Sequence, residues 1–498
     1  MTSRVPGAGP GSPSPEAALG ARSLISAASW MSGANLVAQG VAYAALLVLA
    51  RLIPPAAFGT VAAGTAVVWM AITVLDSGTR GGIIVRPRLT HAALQSAFRR
   101  CLVISLVLAA AMAIASPQLV DAIAEGGEPA TFAVLAISLP VYAVALIPTA
   151  VLQRVMEFGR LARLTAAANV VSAGAAVVAG FAGAGVWALV TRQLLWFALL
   201  ALLAVLVARP FLPRRGEALA NGGEVPARVG DRWFLLFGAT LLIALNLDYL
   251  VIGAVDGVGE LGLYALAFMI AFAPLQQFSG EVGKVLFSAA AVSGLGASGP
   301  RTVHAVRLMS VILLPVLPAA MVLAPPALPA ILGDEWTDMV APFQVLLVVG
   351  IGQAIVNCVG ETLAGVGEIA FRAKVNVVWC LATLAALLAL VPIDGIRGAA
   401  IAHLVVFVPY AAVYATIGAR RAGTDARGLW GALRPTVLAT CWQSVVTTGV
   451  YLALRDVGDI AAVAAALAGL LVVAVVLWRD SGGPAHQVAA LLRRGGGR

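Results

Sequence analysis

Ten ionisable side chains stand inside or at the edges of long apolar stretches: Asp76, Arg80, Arg154, Arg192, Asp248 and Glu361, together with Arg51, Glu157, Glu281 and Lys284. A charge at the centre of such a stretch costs at least about 2.5–3.5 kcal/mol on insertion scales, so each needs a physical reason. Arg192, in ALVTRQLLWF, is the most deeply placed. Its planar guanidinium stays charged and can grip a phosphate-type anion through two parallel hydrogen bonds; the other reading is an ion pair with a buried acid such as Asp248. Asp248, in LNLDYLVIG, could exchange protons or could only neutralise an arginine. Arg80 and Arg154 lie where apolar segments end and could gather anionic headgroups, although charge placement for topology accounts for them equally. Glu281 precedes Lys284 by three residues, the spacing of a local ion pair on one helix face. The four cysteines are scattered, His304 and His403 stand alone, and no metal-ligand spacing or Walker-type glycine loop is present. No cofactor or metal is expected.

The elements that hold these residues must be membrane helices. Hydrophobic residues make up 61% of the 498-residue chain, charged residues 11%, and mean hydropathy is +0.97; a water-soluble domain of this length needs far more surface charge. The apolar stretches are rich in Ala, Leu and Val and lack the period-two alternation of a barrel. The sequence predicts an all-α polytopic membrane protein of about fourteen transmembrane helices, since about 20 apolar residues cross a bilayer core. They run over 24–50, 56–79, 96–116, 130–152, 162–182, 184–207, 233–254, 261–283, 305–328, 341–362, 374–392, 396–418, 431–453 and 459–478. Basic residues collect in every second gap, and only Arg51, Arg192, Arg397 and Arg455 of the 32 Lys and Arg lie elsewhere. Acids such as Asp121, Glu125, Glu128, Asp334 and Glu335 occupy the gaps between. The positive-inside rule then places the basic loops and both termini in the cytoplasm. The net charge of +9 is spread over separate inner segments, so nucleic acid is not an expected partner.

The chain also resembles itself. LARLIPPAAFGTVAAGTAVV aligns with IGAVDGVGELGLYALAFMIA, setting Phe58-Gly59 opposite Leu261-Gly262 at an offset of 203 residues. LQRVMEFGR from Leu152 aligns with LAGVGEIAF from Leu363 at an offset of 211, with Glu157 opposite Glu368. GAGVWALV from Gly183 aligns with GIRGAAIA from Gly395 at roughly 213. Six spans per half keep the repeats parallel about an axis along the membrane normal, an arrangement in which two lobes rock around a site between them. The expected organisation is a disordered leader (1–22), a six-helix lobe (23–208), a cytoplasmic linker (209–232), a second six-helix lobe (233–421), two further helices (422–479) and a basic tail (480–498).

The runs LVLARLIPPAAFGTVA, VLQRVMEFGRLAR, GVWALV, NLDYLVIGAVDGVGELGLYALAF, GKVLFSA and GDEWTDMVAPFQVL follow one another over residues 23–420. In that order they resemble the Wzx-like oligosaccharide flippases of lipopolysaccharide and polysaccharide biosynthesis, members of the multidrug/oligosaccharidyl-lipid/polysaccharide exporter superfamily. The resemblance implies a multi-pass protein of the bacterial plasma (inner) membrane. It implies alternating-access movement of a polyprenyl-diphosphate-linked oligosaccharide from inner to outer leaflet, with no bond-making step and no catalytic residue. It further implies membrane lipids as partners, coupling to H+ or Na+, and contact with polysaccharide polymerase or export proteins. The residues expected to line the cavity and its inner mouth are Arg192, Asp248, Asp76, Arg80, Arg154 and Glu361. The chain departs from the family pattern at Asp76-Ser77-Gly78-Thr79-Arg80-Gly81, where relatives show Asp-Leu-Gly-Leu-Gly.

Two competing readings remain at this point. A cation-coupled drug exporter of the same superfamily should rely on acids and aromatics, whereas basic residues dominate here and favour an anionic substrate. A membrane-embedded glycosyltransferase or polymerase should carry a large outer loop with acidic catalytic residues, and the longest outer loops, 117–129 and 329–340, are short. Pro140, Pro148, Pro274, Pro315 and Pro318 fall inside expected spans and each removes a helical hydrogen bond. Trp69, Trp187, Trp336, Trp430 and Trp478 lie near span ends, where indoles favour the interface.

Overall fold

The computed structural model describes residues 38–85, 88–155, 157–213, 217–220, 232–454 and 460–479. The expected leader and tail, Arg455 and most of the linker lie outside them. Among the described residues, eleven stretches are long and apolar enough to cross a membrane, and Ala38–Leu52 and Ala462–Val473 are shorter apolar helices. One stretch, Ile369–Arg421, bends at Asp394 and Gly395 (φ 52°, ψ −135°) and provides two arms. The protein is thus a predominantly helical, multi-pass membrane protein, consistent with the expected fourteen spans. Its lipid-facing surface is hydrocarbon: on the helix His91–Ile114, Val103, Val107 and Ile114 are all exposed, as suits a helix apolar all round.

In chain order, α1 is Ala38–Leu52 and α2 Pro55–Val85. They are followed by β1 (Arg88–Thr90), α3 (His91–Ile114), α4 (Ser116–Ile123), α5 (Pro129–Leu135), α6 (Ser138–Arg154), α7 (Phe158–Phe181) and α8 (Val186–Ala208). The second half opens with β2 (Ala218–Ala220), α9 (Arg232–Ala244), α10 (Leu247–Val255) and α11 (Gly257–Ala271). It continues with α12 (Ala273–Leu313), α13 (Val316–Leu332), α14 (Val340–Gly365) and α15 (Ile369–Val413), extended by a π turn into α16 (Ala419–Arg421). The last helices are α17 (Ala426–Leu454) and α18 (Ile460–Arg479).

Several expected spans are broken helices. Pro274 opens α12, and Pro140 and Pro318 sit in the first turns of α6 and α13, with Pro315 capping α13. At these positions a missing N–H removes no intrahelical bond. Of the five expected kink prolines only Pro148 lies in a helix interior. The long helix α12 doubles back on itself: Arg301 Nη1 donates to the Ala289 carbonyl at 3.4 Å, whereas twelve residues of straight helix would part them by about 18 Å. One feature departs from an all-α expectation. β1 and β2 form a two-strand antiparallel ladder, Leu89 opposite Leu219, which ties the described part of the linker to the loop after α2. His91 Nδ1 lies 3.1 Å from the Pro213 carbonyl beside it.

The internal repeat has structural counterparts. Glu157 and Glu368 occupy the same position, immediately before α7 and α15. A methyl added at Gly59 would run into the Val258 carbonyl, and one at Gly262 into the Pro55 carbonyl. The 203-residue offset exchanges both members of each contact, so the two halves meet across a local two-fold. The third pairing needs correction by two residues. Gly185 (φ 55°, ψ −129°), not Gly183, shares the backbone of Gly395, and both open a span. One continuous buried cluster joins the halves, from Leu46, Leu49, Phe58 and Ile72 to Leu261, Leu266, Trp336 and Phe343.

Candidate functional site

The end of the molecule that carries the acidic loops is sealed. Val258 N–H donates to the Glu125 carbonyl (3.0 Å) and Glu125 N–H to the Gly253 carbonyl (3.4 Å). Trp336, expected at the lipid interface, is instead fully buried; its Nε1 donates to the Ala50 carbonyl at 2.9 Å, and its ring meets Phe58 edge-on at 5.3 Å. Beneath this roof lies a cavity of about 490 Å³, lined by α1, α2, α7 and α8 of the first half and by Tyr249, Ala265 and Met269 of the second. Phe58 belongs to both seal and wall.

Arg192 lines this cavity, two turns into α8. It forms no ion pair with a carboxylate among the described residues; its electrostatic neighbour is Tyr43. Around it stand amides, hydroxyls and aromatic faces. Thr65 donates to Gln193 Oε1 at 2.5 Å, leaving Gln193 Nε2, like Trp196 Nε1, buried without a hydrogen-bond partner among the described residues. Trp69, expected at the interface, faces inward, 6.4 Å from Trp196 and 5.9 Å from Phe197. Asn169 and Gln39 complete the polar lining. A guanidinium, unpartnered donors and flat aromatic surfaces suit an anion attached to a hydroxyl-rich group.

Asp76, Arg80 and Arg154 are not part of that cavity. Arg80 Nε bonds Asp76 (2.9 Å), its Nη2 donates to Tyr142 Oη (2.9 Å) and its Nη1 to Gln153 Oε1 (3.3 Å). Tyr142 in turn donates to Asp76 Oδ1 at 2.8 Å. The arginine that departs from the family pattern is therefore neutralised by the acid four residues before it. Arg154 Nη1 donates to the Ile83 carbonyl (2.7 Å) nearby. Along α2, Asp76 and Arg80 lie 11 and 15 residues beyond Thr65, the partner of Gln193 beside Arg192, which at 1.5 Å per helical residue is about 17–22 Å. The two groups of arginines therefore occupy separate levels.

Asp248 is fully buried and pairs with other groups than Arg192. The helix breaks after Ala244, and the first turn of α10 offers its free N–H groups: Tyr249 N donates to Asp248 Oδ1 at 3.0 Å. Tyr264 Oη donates to Oδ2 at 2.9 Å. His403 Nε2, from α15, lies 3.4 Å from the same oxygen without hydrogen-bonding it. Glu361 pairs with Arg372 at 2.8 Å, and the same Nη2 reaches Asn357 Oδ1 at 2.9 Å. Arg372, expected in a cytoplasmic loop, is buried with its guanidinium 4.2 Å from the Phe237 ring. Sequence reasoning passed over His403 and Tyr142 because their partners come from distant helices. The Glu281–Lys284 pair forms as its spacing predicts, at 2.7 Å. Among the described residues no three His, Cys, Asp or Glu gather to hold a metal ion.

Comparison with known proteins gives a consistent result. A family model described as polysaccharide biosynthesis protein matches residues 48–341. The lipopolysaccharide biosynthesis protein WzxC of Escherichia coli (strain K12) is 24% identical over 363 residues, which are 71% of this chain and 72% of that protein. Among solved structures, the lipid II flippase MurJ in an inward closed conformation superposes with a TM-score of 0.68 at 10% identity, over 90% of this chain and 97% of that one. An inward-facing multidrug resistance MATE family transporter of the MOP superfamily superposes with a TM-score of 0.56 at 16% identity, over 77% and 94%. At these identities the two superpositions speak for the fold.

Proposed function

This chain belongs to the polysaccharide biosynthesis protein family, and we propose that it is a flippase for a polyprenyl-diphosphate-linked oligosaccharide. The observation that carries the reading is Arg192: an arginine without a carboxylate partner among the described residues, in a cavity roofed at one end and walled by aromatic and amide side chains. The diphosphate sits against the guanidinium, and the first sugars lie against Trp69, Trp196 and the Gln193 amide. The polyprenyl tail stays in lipid, since drawing it into a polar cavity forfeits about 0.8 kcal/mol per CH₂. In this reading the basic end faces the cytoplasm of a bacterial inner membrane, both termini lie there, and residues 23–208 and 233–421 are the rocking lobes. Arg154 and the basic loops around it guide the anionic headgroup in at that end, while Arg80 stays paired with Asp76. The protein makes and breaks no covalent bond.

The Asp248–His403–Tyr264 cluster is our candidate for ion coupling, with a proton as the ion. What supports it is geometry: a buried carboxylate, Asp248, whose Oδ2 lies 3.4 Å from His403 Nε2 without a hydrogen bond between them. The MATE-like superposition supports a drug exporter as second reading, but a cavity presenting an arginine disfavours cationic cargo.

Deleting the gene should trap lipid-linked oligosaccharide on the cytoplasmic leaflet and remove a surface glycan, with tolerance of cationic dyes unchanged. Intact surface glycans together with new sensitivity to such dyes would transfer the assignment to the exporter.

A further inference from the structure

The two arms of α12 enclose a second cavity, a trough of about 590 Å³. Phe278, Val282 and Leu286 form one wall; Leu308, Met309 and Ile312 form the other. Among the described residues its polar lining groups are Arg301 and His304. These lie three residues apart on one helix face. Both are exposed, and they stand at the end nearest the chain reversal, where Arg301 reaches across to the Ala289 carbonyl. From Arg301 to Ile312 the trough runs about 16 Å along the helix.

Such a space does not suit water, which needs two to four polar partners to be held. Left empty, its walls would lose their dispersion contacts. Hydrocarbon fills it at no such cost, and the trough lies within spans that face lipid. The two rim groups stand at one end only, as a headgroup does on its chain. A guanidinium grips a phosphate with paired donors, and basic side chains near the membrane surface attract anionic lipid. We propose that the trough seats one acyl chain of an anionic phospholipid whose phosphate lies against Arg301 and His304. The lipid fills the space between the arms and is a structural partner, separate from the cargo cavity at Arg192.

The test uses the full-length protein in phosphatidylcholine nanodiscs doped with phosphatidylglycerol that carries a photoreactive diazirine midway along one chain. Irradiation and peptide mapping should place label on residues 278–286 and 308–312. Labelling should exceed that by a diazirine phosphatidylcholine by about fivefold or more, the effect of one basic residue near an anionic lipid. Arg301→Glu with His304→Glu should reduce it to the phosphatidylcholine level. Ala305→Trp, which fills the trough and keeps the rim, should abolish labelling by both lipids; if it does not fold, the charge-reversal pair decides alone. Equal labelling by the two headgroups, or labelling that survives charge reversal, would reduce the trough to ordinary boundary lipid. Displacement of the probe by polyprenyl phosphate at concentrations where phosphatidylglycerol fails would overturn the phospholipid as occupant.

Discussion

Arg192 was readable because nothing about topology accounts for an arginine six residues inside an apolar helix. Its partner was not readable: ALVTRQLLWF does not say whether an acid waits opposite, and the structure brings Tyr43 and not Asp248. His403 meets Asp248 from a helix 155 residues further on, and no spacing rule spans that distance. Arg372 was misplaced for a different reason. Hydropathy sets a span edge by composition, whereas burial here comes from Phe237 and Glu361 on neighbouring helices. Hydrogen bonds to a charged group are worth about 1.5–3 kcal/mol, so Arg192→Ala should slow flipping of a labelled lipid-linked oligosaccharide by roughly 10- to 150-fold in proteoliposomes. Arg192→Lys keeps the charge but not the planar fork and should recover part of that rate. Full activity in Arg192→Ala, with normal insertion, would remove this residue from the site.

The helices repeat the lesson in backbone geometry. Their helical character and order followed from apolar length alone, and the bend at Asp394–Gly395 falls between two expected spans. Their internal breaks did not follow, because a proline marks a fault without saying whether the helix bends or restarts there. Most of the expected prolines coincide with restarts. The Gly59–Gly262 crossing has a further consequence. Neither glycine has room for a Cβ while the acidic end is sealed, since each would strike a backbone carbonyl of the other half. Overpacking of this kind costs about 1–3 kcal/mol, enough to shift a closed-to-open ratio by roughly 5- to 150-fold. Gly59→Ala and Gly262→Ala should therefore open the acidic end alike, lengthening the distance between spin labels at Glu128 and Asp338 and impairing flipping. Gly174→Ala, where nothing lies within 4 Å, should change neither. An unchanged label distance in both gate variants would show that this crossing does not hold the end closed.

The molecule as a whole has two unlike ends, and the functional reading depends on which one meets the cytoplasm. The roof over the Arg192 cavity lies at the acidic end, so cargo can enter a sealed-roof state only from the basic end. If the basic end is cytoplasmic, this state accepts substrate from the inner leaflet, where a lipid-linked precursor is assembled. If the orientation is reversed, the same state would accept cargo from outside and the flippase would run backwards. The positive-inside rule favours the basic end as the cytoplasmic one, and the ladder between β1 and β2 keeps the described part of the linker at that end. Labelling with a membrane-impermeant thiol reagent checks it. Gly127 and Gly257 are poor sites for the added cysteine, since Gly127 packs on the Ala124 carbonyl and Gly257 holds φ at +76°. Glu128 and Asp338 are exposed at the acidic end, and Ser96 and Ala426 at the basic end. With the four native cysteines replaced, Glu128→Cys and Asp338→Cys should react in intact cells, whereas Ser96→Cys and Ala426→Cys should react only after the membrane is opened. The opposite pattern would invert the transport direction and with it the role given to Arg154.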